Sequence, residues 1–334
     1  MENIIQEKGL VKYVIENGGS IHPLLLPEEV TGGTGLMNPS VFVDDNGQIL
    51  VNLRHINYTL YHSETKVFAH HWGPLQYLHP ENDMTLTTKN YLLRLNENLE
   101  LEQYNKVDTS QFDLKPQWHF IGLEDCRLFK WNSKYYICGV RRDDNTTGSG
   151  RMQLQELDIG IDYVKEINRH KIPAPGNNKS YCEKNWMPVS DTPYHFIKWS
   201  NPTELVESNI IENTCTTKKL DESRRLPLPN DLRGSSQVIP YGTGHMAITH
   251  EVNLYNDIQG RKDGKYRHRF VFWDNNWNIT KTSEQFHFMT GEIEFCAGMA
   301  EHKDDLLISF GFQDNAAYIL KMPKKLLPNL IQVS

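Results

Sequence analysis

Short apolar runs separated by polar turns fill most of the chain, and five segments repeat one plan: an apolar run, a turn, a second apolar run, and a third run after a loop. The paired runs lie at 38–55, 124–142, 184–200, 234–251 and 295–312. The turns between them, 44–47, 132–134, 190–193, 242–244 and 302–305, draw heavily on Asn, Asp, Gly and Pro, which tolerate left-handed backbone or preset φ. Third runs follow at 90–96, 152–158, 207–212, 268–279 and 316–322. Each unit reads as a β-meander. Repeats of roughly 40 to 60 residues, each a small antiparallel sheet, predict an all-β, five-bladed β-propeller whose blades bury their faces around a channel. A β-sandwich also has many short strands. Recurrence of the turn at one place in every unit favours the propeller.

The longer stretch Tyr61–His119 reads as an insertion and rim in the first blade, residues 1–35 as an N-terminal strap, and the tail from Pro323 as a closing or underlying segment. No domain boundary interrupts 1–334, which is expected to be a single propeller domain. No run approaches the roughly 20 apolar residues of a membrane span, and the charged N-terminal stretch does not read as a secretory leader, so a cytoplasmic location is expected. Five scattered cysteines without a C-x-x-C pair are expected to be reduced thiols. A formal charge of -7 makes nucleic acid an unexpected partner. His71, His79, His119 and His195 lack a metal-ligand spacing, and no metal or cofactor is expected. Gly32–Gly35 lacks the lysine and the strand-to-helix setting of a phosphate loop, and no serine sits in a G-x-S-x-G elbow.

Candidate chemistry follows from hairpin geometry. The start of a first strand and the end of the second share one edge, and in a propeller that edge is one mouth of the channel. Polar residues collect there: Asn38 and Arg54; Glu124, Asp125, Arg127, Arg141 and Arg142; Lys184 and Asn185; Arg233, His250 and Glu251; Glu294, Gln313 and Asp314. The cations among them suit a phosphate or pyrophosphate, because guanidinium groups present forked donors and lysine a mobile point charge. Asp125 among them is placed for proton transfer. Asp143 and Asp144 follow the paired arginines. Trp72, Tyr77 and Trp186 are candidates for stacking on a sugar ring, against a plain packing role.

The segment Gly122–Arg127, the pair Tyr135–Tyr136 and the segment Glu183–Trp186 resemble the five-bladed propellers of glycoside hydrolase family 130, the β-mannoside phosphorylases, and related propeller glycosyltransferases. The likeness runs over nearly the whole chain. It implies Asp125 as the single catalytic carboxylate, and a phosphate or donor site drawn from Arg54, Arg141 or Arg142, Lys184, Asn185 and His250, with Arg233 beside them. Asn38, Glu124, Arg127, Trp186, Glu251 and Asp314 are the expected sugar contacts. Cys126 stands where the family has Pro, Arg233–Gln237 replaces a Gly-Pro-Pro type opening, and His268–Trp273 has no evident counterpart.

The implied chemistry is inverting transfer with one protein carboxyl group, unlike the paired carboxylates usual in glycoside hydrolysis. The leading expectation is a glycosyltransferase that moves a sugar from an activated, phosphate-linked donor to a saccharide or other hydroxyl acceptor, with Asp125 as general base. A glycoside phosphorylase or hydrolase, with Asp125 as acid, is the alternative. A catalytically silent carbohydrate-binding propeller is the third reading, opposed by the presence of Asp125 within its cationic surround.

Overall fold

The paired runs form hairpins because each turn supplies the backbone its reversal needs, and in the computed structural model every hairpin grows into an antiparallel meander. The structure describes residues 8–32, 34–60, 77–78, 85–177, 180–220, 228, 232–256 and 262–332. The first meander is Leu36–Val43, Ile49–Ile56, Leu86–Leu95 and Leu101–Asp108. The second is Leu123–Trp131, Lys134–Arg141, Arg151–Ile159 and Val164–Lys171. The third is Met187–Pro188, His195–Trp199, Glu204–Asn209 and Thr214–Leu220. In the fourth, Arg233–Gly234 and Ile239–Tyr241 both pair with Gly244–Asn256, followed by Lys262–Trp273 and Ile279–Ser283. The last, Glu294–His302, Asp305–Phe312 and Ala316–Pro323, gains its outer strand from the other end of the chain, Ser20–Pro23.

Fourth strands were not legible as apolar runs. Leu101–Asp108 and Thr214–Leu220 are mostly exposed, so they carry polar residues on both faces. The stretch read as an insertion, Tyr61–His119, contains the third and fourth strands of the first meander. Its remainder at 61–76 and 79–84, with His71, Trp72 and His79, lies outside the described residues. Tyr77–Leu78 pairs with Thr59–Leu60. The third run expected at 207–212 ends as a strand at Asn209, because 210–213 is a turn.

First strands of the meanders meet at the centre, where one amide ties them together. Gln237 is buried, and its Nε2 donates to Ser40 Oγ, the Val41 carbonyl and the Leu128 carbonyl, at 3.1, 3.1 and 2.5 Å. Its Oε1 accepts the Met299 N–H at 3.0 Å. Buried polar groups must be paired, and this side chain pairs groups from three other meanders at once. The helix Leu10–Glu16 packs Leu10, Val11 and Val14 into the apolar layer between the fourth and last meanders. Its first N–H groups, which a helix leaves orphaned, reach the His287 and Phe288 carbonyls at 2.8 and 3.0 Å. Among the described residues no helix is long and apolar enough to cross a membrane.

Candidate active site

Two β-bulges build the site. In the first meander Met37 and Ser40 face Arg54 and Asn52, so an extra residue is accommodated at Asn38–Pro39. In the second, Glu124 and Arg127 face Val140 and Cys138, with the extra residue at Asp125–Cys126. Bulges re-aim side chains out of the strand alternation. Asn38 has φ 45° and Asp125 φ 53°, left-handed values that cost roughly 1–2 kcal/mol in most residues and least in Asn and Asp. Gly139 backs the second bulge, since a Cβ there would collide with the Glu124 carbonyl.

These distortions turn Asn38 and Asp125 toward each other. Asn38 Nδ2 donates to Asp125 Oδ1 at 2.7 Å, and Arg54 Nη1 donates to the same oxygen at 2.8 Å. Arg54 is 4% exposed and four of its five N–H donors are committed: besides Nη1 on Asp125, Nε reaches Thr88 Oγ1 at 3.0 Å, and Nη2 reaches Tyr58 and Glu124 Oε2 at 3.2 and 3.4 Å. It therefore fixes the carboxylates rather than waiting for an anion. Burial pushes the Asp125 carboxyl up, but Arg54, the Asn38 amide, Arg127 and Lys184 outweigh it and hold the group below the usual carboxylate range. Asp125 is therefore ionised at neutral pH.

Asp314 lies in the same field under the opposite balance. Burial, opposed by Arg54 but reinforced by the negative charge of Asp125 and Glu124, raises it to about 6. Asp314 and its neighbour Gln313 also have left-handed backbone, each with φ 52°.

The expected cationic cluster divides into committed and available groups. Arg127 is 1% exposed and donates to the backbone carbonyls of Ser235, Asp125 and Gly234 at 2.7, 2.7 and 3.4 Å, with its guanidinium 5.5 Å from the Phe295 ring. It secures the Asp125 strand, in place of the sugar contact expected. Arg141 forms a forked pair with Asp143 at 2.5 and 3.1 Å and lines a different cavity. Arg142 is the arginine beside the carboxylates: its Nε is 3.7 Å from Glu124, and its Nη1 and Nη2 reach the Gly148 carbonyl and Cys182 Sγ at 3.1 and 3.2 Å.

The side chains of Lys184 and Arg233 make no hydrogen bond or ion pair among the described residues, and both residues line a cavity of about 380 Å³ with Lys198, Asn185, Cys182 and Glu183. Asn185, with φ 64°, has a buried Oδ1 that accepts no hydrogen bond among the described residues. His250 is buried, with Nδ1 2.9 Å from Ser235 Oγ. Burial, then His268 and the cations Arg233, Arg127 and Lys184, push it well below the usual histidine range, so it meets a ligand as a neutral imidazole and not as a cation.

Two expected contacts, Trp186 and Glu251, and one expected mouth residue, Glu294, fall elsewhere. Trp186 is 1% exposed, packs against Phe196, and donates to Glu183 Oε2 at 3.3 Å. Glu251 follows His250 on the strand and turns to the opposite face, accepting from Arg269 and Gln285 at 3.3 and 2.5 Å. Glu294 is fully buried and accepts the N–H groups of Phe288, Met289 and Gly291 at 2.5, 2.9 and 3.0 Å, which fixes the preceding loop.

Residues that sequence reading passed over complete the site. Tyr58 and Thr88 hold Arg54. Tyr266 stacks on His250 at 5.7 Å, and its hydroxyl is pushed up by burial and by the charges of Asp314 and Asp125. Tyr266 comes from the strand that carries His268–Trp273, the segment without a counterpart.

No protein-family model and no curated protein sequence matches the chain. Solved structures do. The β-1,2-mannobiose phosphorylase of Listeria innocua superposes with a TM-score of 0.55 at 14% identity, covering 93% of this chain and 96% of that one. A structure described among glycoside hydrolases of family 130 that target β-1,2-mannosidic linkages in Candida mannan gives 0.56 at 13%, covering 87% and 85%. A mannose phosphorylase of Leishmania mexicana in complex with phosphate ion gives 0.51 at 11%, covering 95% and 93%. The fold of this chain is the propeller fold of the family 130 mannoside phosphorylases and related glycoside hydrolases. It is a fold of carbohydrate-active enzymes.

Proposed function

We propose that the meanders are the five blades of a single propeller domain, and that its mouth catalyses inverting transfer of a sugar between a phosphate-linked position and a hydroxyl. The reading favoured is a glycosyltransferase with Asp125 as general base. The observation that carries it is an ionised Asp125 in the field of Lys184, a cation that with Arg233 is uncommitted among the described residues and lines a cavity larger than phosphate alone requires. Asp125 takes the proton of the acceptor hydroxyl as its oxygen bonds to the anomeric carbon. The bond from that carbon to the donor phosphate breaks on the opposite face, and Lys184, Arg233 and the N–H of neutral His250 receive the released anion. Such charge-assisted contacts act where charge develops in the transition state. Asn38, Glu124 and Asp314 border the sugar.

A second reading, glycoside phosphorolysis, is supported by the phosphorylases among the similar structures. It runs the same chemistry backward, with phosphate as nucleophile and Asp125 protonated as acid. Incubation with a nucleotide-sugar panel and hydroxyl acceptors is expected to release free nucleotide, while phosphate with β-linked disaccharides yields no sugar 1-phosphate. Rapid sugar 1-phosphate formation, with no nucleotide sugar bound, replaces the transferase reading with the phosphorylase.

A further inference from the structure

A neutral imidazole carries one proton, so His250 can donate to an anion through only one of its two ring nitrogens. The ring itself is clamped: Tyr266 stacks on it at 5.7 Å with an interplanar angle of 21°, and Phe295 meets it edge-on at 5.0 Å. Which nitrogen holds the proton is then set by the partner of Nδ1. That partner is Ser235 Oγ at 2.9 Å, and the two residues are 0% and 1% exposed, Ser235 the lower.

Ser235 directly follows the short strand Arg233–Gly234, whose register sets Arg233 opposite His250. The Ser235 hydroxyl has no other hydrogen-bond partner among the described residues. Were Nδ1–H to donate to Oγ, the hydroxyl proton would be buried without an acceptor, and Nε2 would offer a ligand only a lone pair. With Oγ donating to Nδ1, the hydroxyl proton is satisfied and the ring proton sits on Nε2. Buried polar groups are paired, so the packing selects the second arrangement. Nε2 has no partner among the described residues and, unlike both ring nitrogens of the neighbouring His268, is not closed off from solvent. The cations around the ring, Arg233, Arg127 and Lys184, favour a lone pair rather than a proton on the nitrogen that faces them. The hydroxyl therefore has to hold the Nε2 proton in place against their field. We infer that Ser235 is a positioning residue: by donating to Nδ1 it fixes His250 as the Nε2–H tautomer, the form that donates to the released phosphate. The inference rests on the anion site proposed above and supplies the residue that fits a neutral histidine to it.

Long-range proton–nitrogen correlation spectra of protein labelled in its histidine rings, recorded near pH 8 and assigned with His250→Phe, read the tautomer directly, because a ring nitrogen without its proton resonates far downfield of one that carries it. Wild type is expected to show Nε2–H, Ser235→Ala a movement of the proton towards Nδ1, and Ser235→Thr, which keeps the hydroxyl, the wild-type pattern. In calorimetric titrations with inorganic phosphate and pyrophosphate, Ser235→Ala and His250→Phe are each expected to lose about tenfold or more in affinity, and Ser235→Thr to recover it. An Nδ1–H ring in wild type, which no Ser235 variant has to fold to reveal, overturns the proposal. So does an Nε2–H ring undisturbed in Ser235→Ala. Anion affinity that falls when Lys184 and Arg233 are replaced by Ala but stays unchanged in Ser235→Ala also overturns it, and leaves the anion site standing. Affinity unchanged in all of these variants, or no binding of either anion by wild type, sinks the anion site itself and the recognition role of Ser235 with it.

Discussion

Asp125 and Asp314 share one field yet are driven apart, and pairs of titratable groups separated in this way mark acid–base assignments. Asp125→Asn is expected to fold, because the amide keeps the shape, and to lose roughly 100 to 10,000-fold in turnover; near-native turnover by the purified variant would remove Asp125 from the chemistry. The folded pKa of Asp125 is lowered, so its stabilising contribution is present above the ordinary carboxylate range and is lost as pH falls through the folded value. Asp314 behaves in the opposite sense. Its folded value is raised to about 6, so its contribution is complete below the ordinary carboxylate range and is lost as pH rises through about 6. Asp314→Asn is therefore expected to melt roughly 2 °C or more above wild type near pH 8 and together with it near pH 4. Thermal melts across that range check the sign, and equal melting temperatures at pH 8 would show that the carboxylate carries no burial cost.

At the scale of elements, the hairpins were legible and the bulges were not. Asn–Asp–Gly–Pro turns identify the first two strands of each meander, because a reversal needs those residues wherever it falls. A bulge leaves no such mark: hairpin geometry places Asn38 and Asp125 at the mouth, but nothing in their sequence says that the strand bulges there. Position at a strand end, moreover, does not say which way a side chain turns. That is why Arg141 and Arg142, or His250 and Glu251, adjacent in sequence, part to opposite faces. Nor does it say which groups are already paired, and so Arg54 reads as an anion ligand and Arg127 as a sugar contact. Tyr266 and Thr88 sit in stretches with no distinguishing pattern. The segment Arg233–Gln237, set apart in sequence by its departure from the family, has a structural reason in Gln237. Gln237→Leu would leave the Met299 N–H and the Leu128 carbonyl without this partner in the centre of the fold. At about 1–3 kcal/mol per orphaned group, a loss of roughly 3 kcal/mol or more in denaturant melts is expected, and a loss under about 1 kcal/mol would show that the first strands hold together without it.

The whole molecule is closed by its own ends. Ser20–Pro23 supplies the outer strand of the last meander by pairing with Ala316–Pro323, and Ile331–Gln332 pairs with the outer strand of the fourth meander at Thr282–Ser283. The helix Leu10–Glu16 sits between those two meanders, anchored by hydrogen bonds to 287–288, the loop that Glu294 holds from inside. Early and late residues thus share one apolar layer, in which the fully buried Leu10 lies with side chains of the fourth and last meanders. Weakening that layer should be felt around the ring, because opening the last meander also withdraws Met299 from Gln237 and loosens the first strands. Leu10→Ala, which leaves a cavity at a fully buried site, is expected to cost about 2–5 kcal/mol. The loss should appear in a single transition, with far-ultraviolet circular dichroism and the fluorescence of the buried Trp131, Trp186 and Trp273 moving together, as one cooperative unit requires. If the circular dichroism signal instead begins to fall before tryptophan fluorescence changes, the last meander opens alone and the closure by the chain ends does not couple it to the rest.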